Sequence, residues 1–431
     1  MTNTKQNLDG YIDLAKKIGT KNINNTGFGL SIANDSLFSA LYTGNGLVKR
    51  LIDLLSDDMV RQWVTIPEDT EGKVLDYMKR LKVKTELKKA IRSAKLFGGG
   101  LVFMVIEDGL DSDEPVNINN IKSIKKLKFF SKHDITIEEE NYYNDEHSSK
   151  FGDPEFFTIA IKDGTQVRVH ETRCLIFKGD EYPKGGFNDN SFWGMSILQP
   201  LHETLESYNL ALQSILQVFQ KFNIDVLRIK NLMALLSSND GVKQLEARGD
   251  LFDLAKSVST TLLLDSEESF EVVSQNLSGV SDVFSRIQET ISSMTGVPSN
   301  ILMGSSPKGL NANGSSEIRI YYDKIKSDQE EELLPQLEYL VELISYSKDT
   351  RLNRDQGYNI DFVSLWQQTD EERVKTRKAQ AEIDQIYINN GVYDPNEVRE
   401  SRFGNGKYSI ETTIEGEVNV NKPNIADTGN I

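Results

Sequence analysis

Apolar residues recur at helical spacing through residues 37–63, at Leu47, Leu51, Leu54, Leu55 and Met59. A second helical pattern runs through residues 71–97 and reads as a pair of helices with Leu75, Met78, Leu81, Leu87, Ile91 and Ala94 inward. At "LFGGGLVFMVIEDG" the period changes. Val, Phe, Ile and Met crowd residues 101–107, which predicts a strand, and "KLKFFS", "FFTIAI", "TQVRV" and "RCLIFKG" predict more. Residues 84–179 therefore read as an α/β or α+β segment with antiparallel pairs. Residues 196–222 then place Ile197, Leu201, Leu205, Leu212, Ile215, Leu216, Phe219 and Phe222 on one face of a helix, with Pro200 in its first turn. About 26 residues of helix reach ~39 Å. A mixed stretch with β-like ends and a helix-like middle follows. A second helix is predicted over residues 280–294, stopped by Gly296 and Pro298.

The next segment, "GSSPKGLNANGSS", has turn-forming residues and one lysine. Behind it a very long helix is predicted from Ser315 to about Ser347. Pro335 interrupts it, removing a hydrogen bond, and a kink is expected there. "YNIDFVSLW" looks strand-like. A helix from Asp370 starts on a capping box, Thr369 with Glu372, and stops at Gly391, and a short one opens with Asp394 as cap and Pro395 in its first turn. Residues 1–36 are polar and Asn-rich and read as a flexible arm, and residues 405–431 as a disordered tail.

A chain of 431 residues with 38% hydrophobic and 26% charged residues is long enough for two or three globular domains. No apolar run approaches the eighteen residues of a membrane span, so no membrane partner is expected. The first residues lack the basic and apolar regions of a secretory signal, and synthesis in a reducing cytoplasm is expected. The single cysteine, Cys174, excludes an intramolecular disulfide and a multi-cysteine metal site. A net charge of −16 is the reverse of what a DNA-gripping protein carries. Any contact with nucleic acid is expected to be local or sliding.

Candidate chemistry is incomplete everywhere. Gly98-Gly99-Gly100 invites a phosphate-loop reading, but the order is helix, glycines, strand, so no helix N-terminus faces an anion, and a helix C-cap with a turn is expected. "HETLE" at His202 lacks the second histidine of a zinc protease motif, and His202 is expected on a polar helix face. His170 and Cys174 lie close in sequence, but a nucleophile pair needs contact and an orienting group, so Cys174 reads as a buried small hydrophobe. The acidic clusters Asp57-Asp58 and Glu138-Glu139-Glu140 lack a third ligand and read as solvated faces. No catalytic residues, metal or cofactor are expected. "GSSPKG" is not a P-loop, because the lysine precedes the glycine and no strand leads in. It remains either a plain hinge or a mobile loop exposed to something that passes.

The succession of parts resembles the portal proteins of tailed double-stranded-DNA bacteriophages over roughly residues 42–402. It is carried by "GLVKRLIDLLSDDMVRQW", "LFGGGLVFMVI", "FWGMSILQPLHETLESYN", "IQETISSMTGVPSNILMG", "SPKGLNANGSSEIRIYYDKIKSDQEEELLPQLEYLVELI" and "VYDPNEVRES". The resemblance implies an α+β portal fold with an α/β wing, a two-helix stem, a small α/β clip, a long kinked helix and a helical C-terminal crown. It also implies assembly as a dodecameric ring at one capsid vertex. DNA would be packaged and ejected through the ring's channel.

Carried onto this chain, it assigns residues 37–195 to the wing, 196–222 to the first stem helix and 223–279 to the clip. Residues 280–303 become the second stem helix and its exit, 304–315 the tunnel loop, 316–367 the kinked helix and a return strand, and 368–404 the crown. Ser305, Ser306, Lys308, Asn311 and Asn313 would then face DNA. Gly304, Gly309 and Gly314 would be the loop's hinges, and Pro335 the helix kink. Implied partners are further copies of the chain, the terminase large subunit, a head–tail adaptor, the major capsid and scaffolding proteins, and double-stranded DNA. The implied location is the virion, after assembly in the host bacterial cytoplasm. The same pattern leaves room for a structural virion protein without a channel, such as a collar or baseplate component. A phosphate- or metal-dependent hydrolase is a more distant alternative.

Overall fold

The computed structural model describes residues 33–161, 164–183, 192–220, 223–228, 269–274, 279–304, 314–350, 357–366, 370–404 and 408–410, with single residues at 237, 240, 243, 247, 250 and 352. Most of the predicted arm and tail lies outside this set. The described residues fall into two compact units, residues 1–363 and 364–431.

The first helical stretch is two helices, α1 (Asp35–Gly44) and α2 (Gly46–Arg61). Asn45 divides them. Its side chain accepts from the Leu47 and Val48 amides and so caps α2. Asn34 caps α1 in the same way, its side chain accepting from the Leu37 amide. The buried face of α2 includes Val48, Leu51, Ile52, Leu55 and Met59, while Leu47 and Leu54 are half-buried. Leu51, Leu55 and Met59 thus point inward as predicted, while Val48 and Ile52 are buried in place of Leu47 and Leu54.

Helices α3 (Lys73–Arg80) and α4 (Val83–Phe97) form the expected pair. Strand β1 (Val64–Thr65) precedes them and pairs with β10 (Asp361–Phe362), the only part of "YNIDFVSLW" that becomes strand. Behind α4 stand two three-stranded antiparallel sheets. One has the order β3 (Ser123–Ser131), β2 (Gly99–Glu107), β7 (Cys174–Lys178). The other has the order β4 (Ile135–Thr136), β5 (Phe156–Ala160), β6 (Gln166–His170). Leu101, Phe130, Phe157, Ile159, Val169 and Cys174 form a shared apolar cluster, with Phe192 and Trp193 packed on it.

The three glycines after α4 do structural work. Gly98 takes φ 87° as the α4 C-cap, as expected. Its carbonyl accepts from the Gly179 and Gly194 amides, both at 2.9 Å. A Cβ on Gly98 would meet the Gly194 carbonyl oxygen at 1.9 Å, and one on Gly99 would meet the Trp193 ring at 2.3 Å. Glycine is required because three backbones cross where the chain leaves the sheets.

Helix α5 (His202–Gln220) starts after Pro200, six residues later than the pattern predicts. It runs beside α6 (Val280–Thr295), with Tyr208 stacked on Phe284 at 5.0 Å. Between them β8 (Asn223–Arg228) and β9 (Ser269–Ser274) pair in full antiparallel register, which gives the excursion its β-like ends. Its predicted helical middle lies mostly outside the described residues. Helix α7 (Ser299–Met303) and the long helix complete the first unit. The long helix consists of α8 (Ser315–Asp328), a π turn at Gln329–Leu333 and α9 (Leu334–Tyr346). Leu337, Leu340, Val341, Leu343 and Ile344 of α9 are buried, each stabilising by about 2 kcal/mol.

The second unit contains α10 (Asp370–Asn389) and α11 (Pro395–Phe403). Asp394 caps α11 as predicted, in a capping box with Glu397. Thr369 of the other predicted box lies outside the described residues. Buried Arg402 joins the helices, its Nε and Nη2 donating to the two Asp384 carboxylate oxygens at 2.8 Å each. Arg402 holds the Asp384 carboxyl below its ordinary value of 3.8. A depressed carboxylate pKa contributes stability that is present at neutral pH and lost as pH falls through the folded value. Protection factors of the 384–402 amides, which correct for the slower intrinsic exchange in acid, should therefore fall between pH 7 and pH 3, and Asp384→Asn should show lower protection at pH 7 already. Unchanged protection in both cases would exclude the ion pair as the clasp.

Candidate channel loop and its supports

The predicted DNA-facing residues Ser305, Ser306, Lys308, Asn311 and Asn313, and the central hinge Gly309, lie outside the described residues. Their two flanks are defined. Gly304 ends α7 at φ 71° and Gly314 opens α8 at φ 62°. Both positions need the left-handed region that glycine occupies freely, so the outer hinges carry the residue their backbone demands.

Pro335 sits in the first turn of α9, directly behind a π turn. Pro335 has no amide hydrogen to donate, and just before it the Leu334 amide donates to the carbonyl of Gln329, five residues back, which makes the turn a π turn. The chain stays helical from Ser315 to Tyr346 through this turn.

That π turn is tied to the sheet-bearing part of its unit. The Gln329 side-chain Nε2 donates to the Met59 carbonyl at 2.7 Å, and Lys95 of α4 donates to Glu332 at 2.5 Å. Burial opposes the Lys95 charge, but Glu332 outweighs it and holds the ammonium above its ordinary range. Further along, Gln336 accepts from the Ile176 amide of β7 at 3.0 Å, and the Tyr339 hydroxyl donates to the Thr172 carbonyl at 2.6 Å. On α8, buried Tyr321 donates to Asp58 at 2.8 Å. The helix leaving the loop is thus fixed at several points, while α7 and α8 end at the loop on glycines.

The chemical candidates resolve as structure. Asp58 is buried against Tyr321 and Arg61, and Asp57 pairs with Lys88 and Arg92. Among the described residues no group of three or more His, Cys, Asp or Glu is placed to hold a metal. Cys174 is buried as predicted, its Sγ faces the His170 carbonyl at 3.7 Å, and burial pushes the thiol well up. The His170 ring turns instead to Thr172, at 2.9 Å. His202 departs from expectation. It is buried rather than on a polar face, with Nδ1 2.7 Å from the Gln199 carbonyl, because α5 begins at this residue and its ring tucks under the entering turn.

Two features were beyond sequence reasoning. Beyond Leu205, no residue of α5 through Leu216 is buried, and Leu210 and Leu216 are each 60% exposed. Val283 of α6 is equally bare. The other is the buried pair of Arg173 and Asp108 at 2.8 Å, whose partners are 65 residues apart. No local signal joins them.

Residues 37–386 match the family model described as phage portal protein, and the chain belongs to that family. Over 410 residues it is 28% identical to an uncharacterized protein of Haemophilus influenzae, covering 91% of this chain and 90% of that one. Over 382 residues it is 26% identical to a protein of Sphingomonas paeninsulae named anti-CBASS protein Acb1, covering 85% of this chain. The chain spans 59% of that relative and 57% of a Caulobacter protein of the same name. In fold it is similar to a chain from the neck of a native gene transfer agent particle determined with C12 symmetry. The TM-score there is 0.50 at 16% identity, with 85% of this chain and 91% of that one covered. A chain from the neck of the empty particle gives 0.51, also at 16% identity, with coverage of 84% and 91%. No described helix is long and apolar enough to cross a membrane.

Proposed function

We infer that the chain is the portal of a tailed phage or phage-like particle. About twelve copies would close into a ring at one vertex of the virion, and DNA would be packaged and released through the axial channel. The observation that carries this reading is the family match across residues 37–386, on a fold shared with a particle neck. The exposed apolar residues Leu210, Leu216 and Val283 on α5 and α6 fit helices that pack against neighbouring copies.

In this reading residues 37–195 form the wing, α5 and α6 the stem, and residues 223–279 the clip, which meets the terminase large subunit and then the adaptor. Residues 368–404 form the crown, and the major capsid and scaffolding proteins surround the ring during assembly in the host cytoplasm. The net charge of −16 keeps DNA from sticking while Lys308 gives the channel a belt of brief contacts. No catalytic step is needed. The name of the longer relatives supports a second reading, an anti-CBASS role, in which rings would be incidental.

Native mass spectrometry of the purified full chain, with negative-stain images, tests the portal reading. The expected result is a closed ring of about twelve chains with an axial hole, as in a C12 particle neck. A chain that stays monomeric with its capsid and scaffolding proteins present would overturn it. Replacing the clip, residues 223–279, should leave the ring closed but abolish pull-down of terminase and adaptor. Unchanged pull-down of both would remove the docking role.

A further inference from the structure

In a chain this acidic, the α3–α4 hairpin is an exception. Nine lysines and arginines against two acids fall between Lys73 and Lys95. Beside it lies an open groove of about 410 Å³. Trp63, Leu75 and Met78 contribute its apolar surface, Lys79, Lys82 and Lys84 supply its charge, and Asp76 is the one acid in its wall. Lys79 and Lys82 are exposed, and neither is in an ion pair among the described residues. Lys82 adopts φ 56°, the only non-glycine among the described residues with positive φ, and so stands at a tight corner between the helices.

The connection after β2, "EDGLDSDEP", has the opposite character: five acids, no base and one large apolar residue, Leu110, which is 41% exposed. It is a fixed projection. Asp108 is buried on Arg173 and accepts from the Leu110 amide at 3.3 Å, and Gly109 turns the chain at φ 90°. The Ser112 hydroxyl donates to the Arg168 carbonyl, and its carbonyl accepts from the His170 amide, both at 2.9 Å. Leu110 is thus held out among the carboxylates of Asp111, Asp113 and Glu114.

Groove and projection lie on opposite flanks of α3. Tyr77 of α3 accepts from the Ile124 amide at 2.9 Å, and the Lys122 amide donates to the Glu107 carbonyl, so the acidic connection ends on the Tyr77 side. Leu75 and Lys79 lie about 160° and 200° around the helix from Tyr77, at roughly 100° per residue. One copy cannot fold its projection into its own groove across the helix. Two different patches on opposite flanks make a head-to-tail contact, the kind that closes rings.

We propose that in the assembled ring Leu110 of one copy docks into the Trp63–Leu75–Met78 groove of the next, with Asp111 and Asp113 facing Lys79 and Lys82. The contact rests on the ring reading above. Complementary charge sets partner and register, and the apolar residue in a desolvated groove supplies the anchor.

Charge reversal tests it in the full chain. Lys79→Glu with Lys82→Glu should raise the protomer concentration needed for ring closure by about 100-fold, since facing like charges cost several kcal/mol and each 1.4 kcal/mol is tenfold. Asp111→Lys with Asp113→Lys should do the same, and a chain carrying all four changes should close rings again. A mixture of chains carrying Leu110→Cys and chains carrying Leu75→Cys should give covalent dimers with a short bismaleimide, whereas either alone should not; the native thiol, Cys174, is buried. Rings of the unaltered chain alongside unaffected reversal variants and no cross-link would overturn the contact and leave the ring standing. An effect from the lysine changes alone, without rescue, would assign the groove to another partner and overturn it too. Absence of any ring from the unaltered chain with its capsid and scaffolding proteins present would overturn both readings together.

Discussion

Replacing Arg173 with methionine is expected to destabilise the first unit by about 3–5 kcal/mol, the cost of leaving one partner of a buried pair behind. Asp108 is fully buried and Arg173 is 2% exposed. Besides Asp108, the guanidinium reaches the Glu114 carbonyl at 2.8 Å, and Asp108 also accepts from the Asn117 amide at 2.9 Å. Removing the cation strands a fully buried carboxylate and takes one tie from the connection that carries Leu110. The effect should appear in urea unfolding as a lower midpoint with little change in slope. Adding Asp108→Asn should recover part of the loss, because the orphaned charge goes with it. A cost below about 1 kcal/mol, the range of exposed pairs, would show that water reaches this site and that other contacts hold the connection.

Deleting residues 306–313 should leave ring assembly intact and remove most DNA-filled particles. The loop runs between two left-handed glycines, Gly304 and Gly314, and the helix behind it is anchored through Tyr321, Gln329 and Glu332. Its loss therefore leaves both neighbouring helices supported. On the proposed channel reading, what the deletion removes is the belt of Lys308 that would touch passing phosphates. Lys308→Ala should give a milder fall in retained genome than the deletion. Packaged-genome yields at the parent level in the deletion would remove the loop from any role in moving or holding DNA. Loss of ring assembly would show instead that the loop is an assembly element.

Features governed by neighbours within one turn or one strand were legible in the chain itself. The left-handed C-caps at Gly98 and Gly296, the Asp394 cap, the strand after the glycines and the α5 and α6 helices all follow from local backbone preference and side-chain period. Family membership was legible too, because the order and spacing of elements is a property of the chain. Tertiary structure decided whatever depends on partners far apart in sequence. Gly98 needed glycine also because Gly179 and Gly194 cross it, and Pro335 sits directly behind a π turn within a helix pinned by Met59 and Lys95. His202 went inside because its helix starts at that residue, and Arg173 found Asp108 across 65 residues. A local pattern gives the direction in which each side chain points from its own helix or strand. Which other segment lies in that direction is set by how the whole core closes, and so the Leu110 projection and the lysine-lined groove emerge only once the chain is folded.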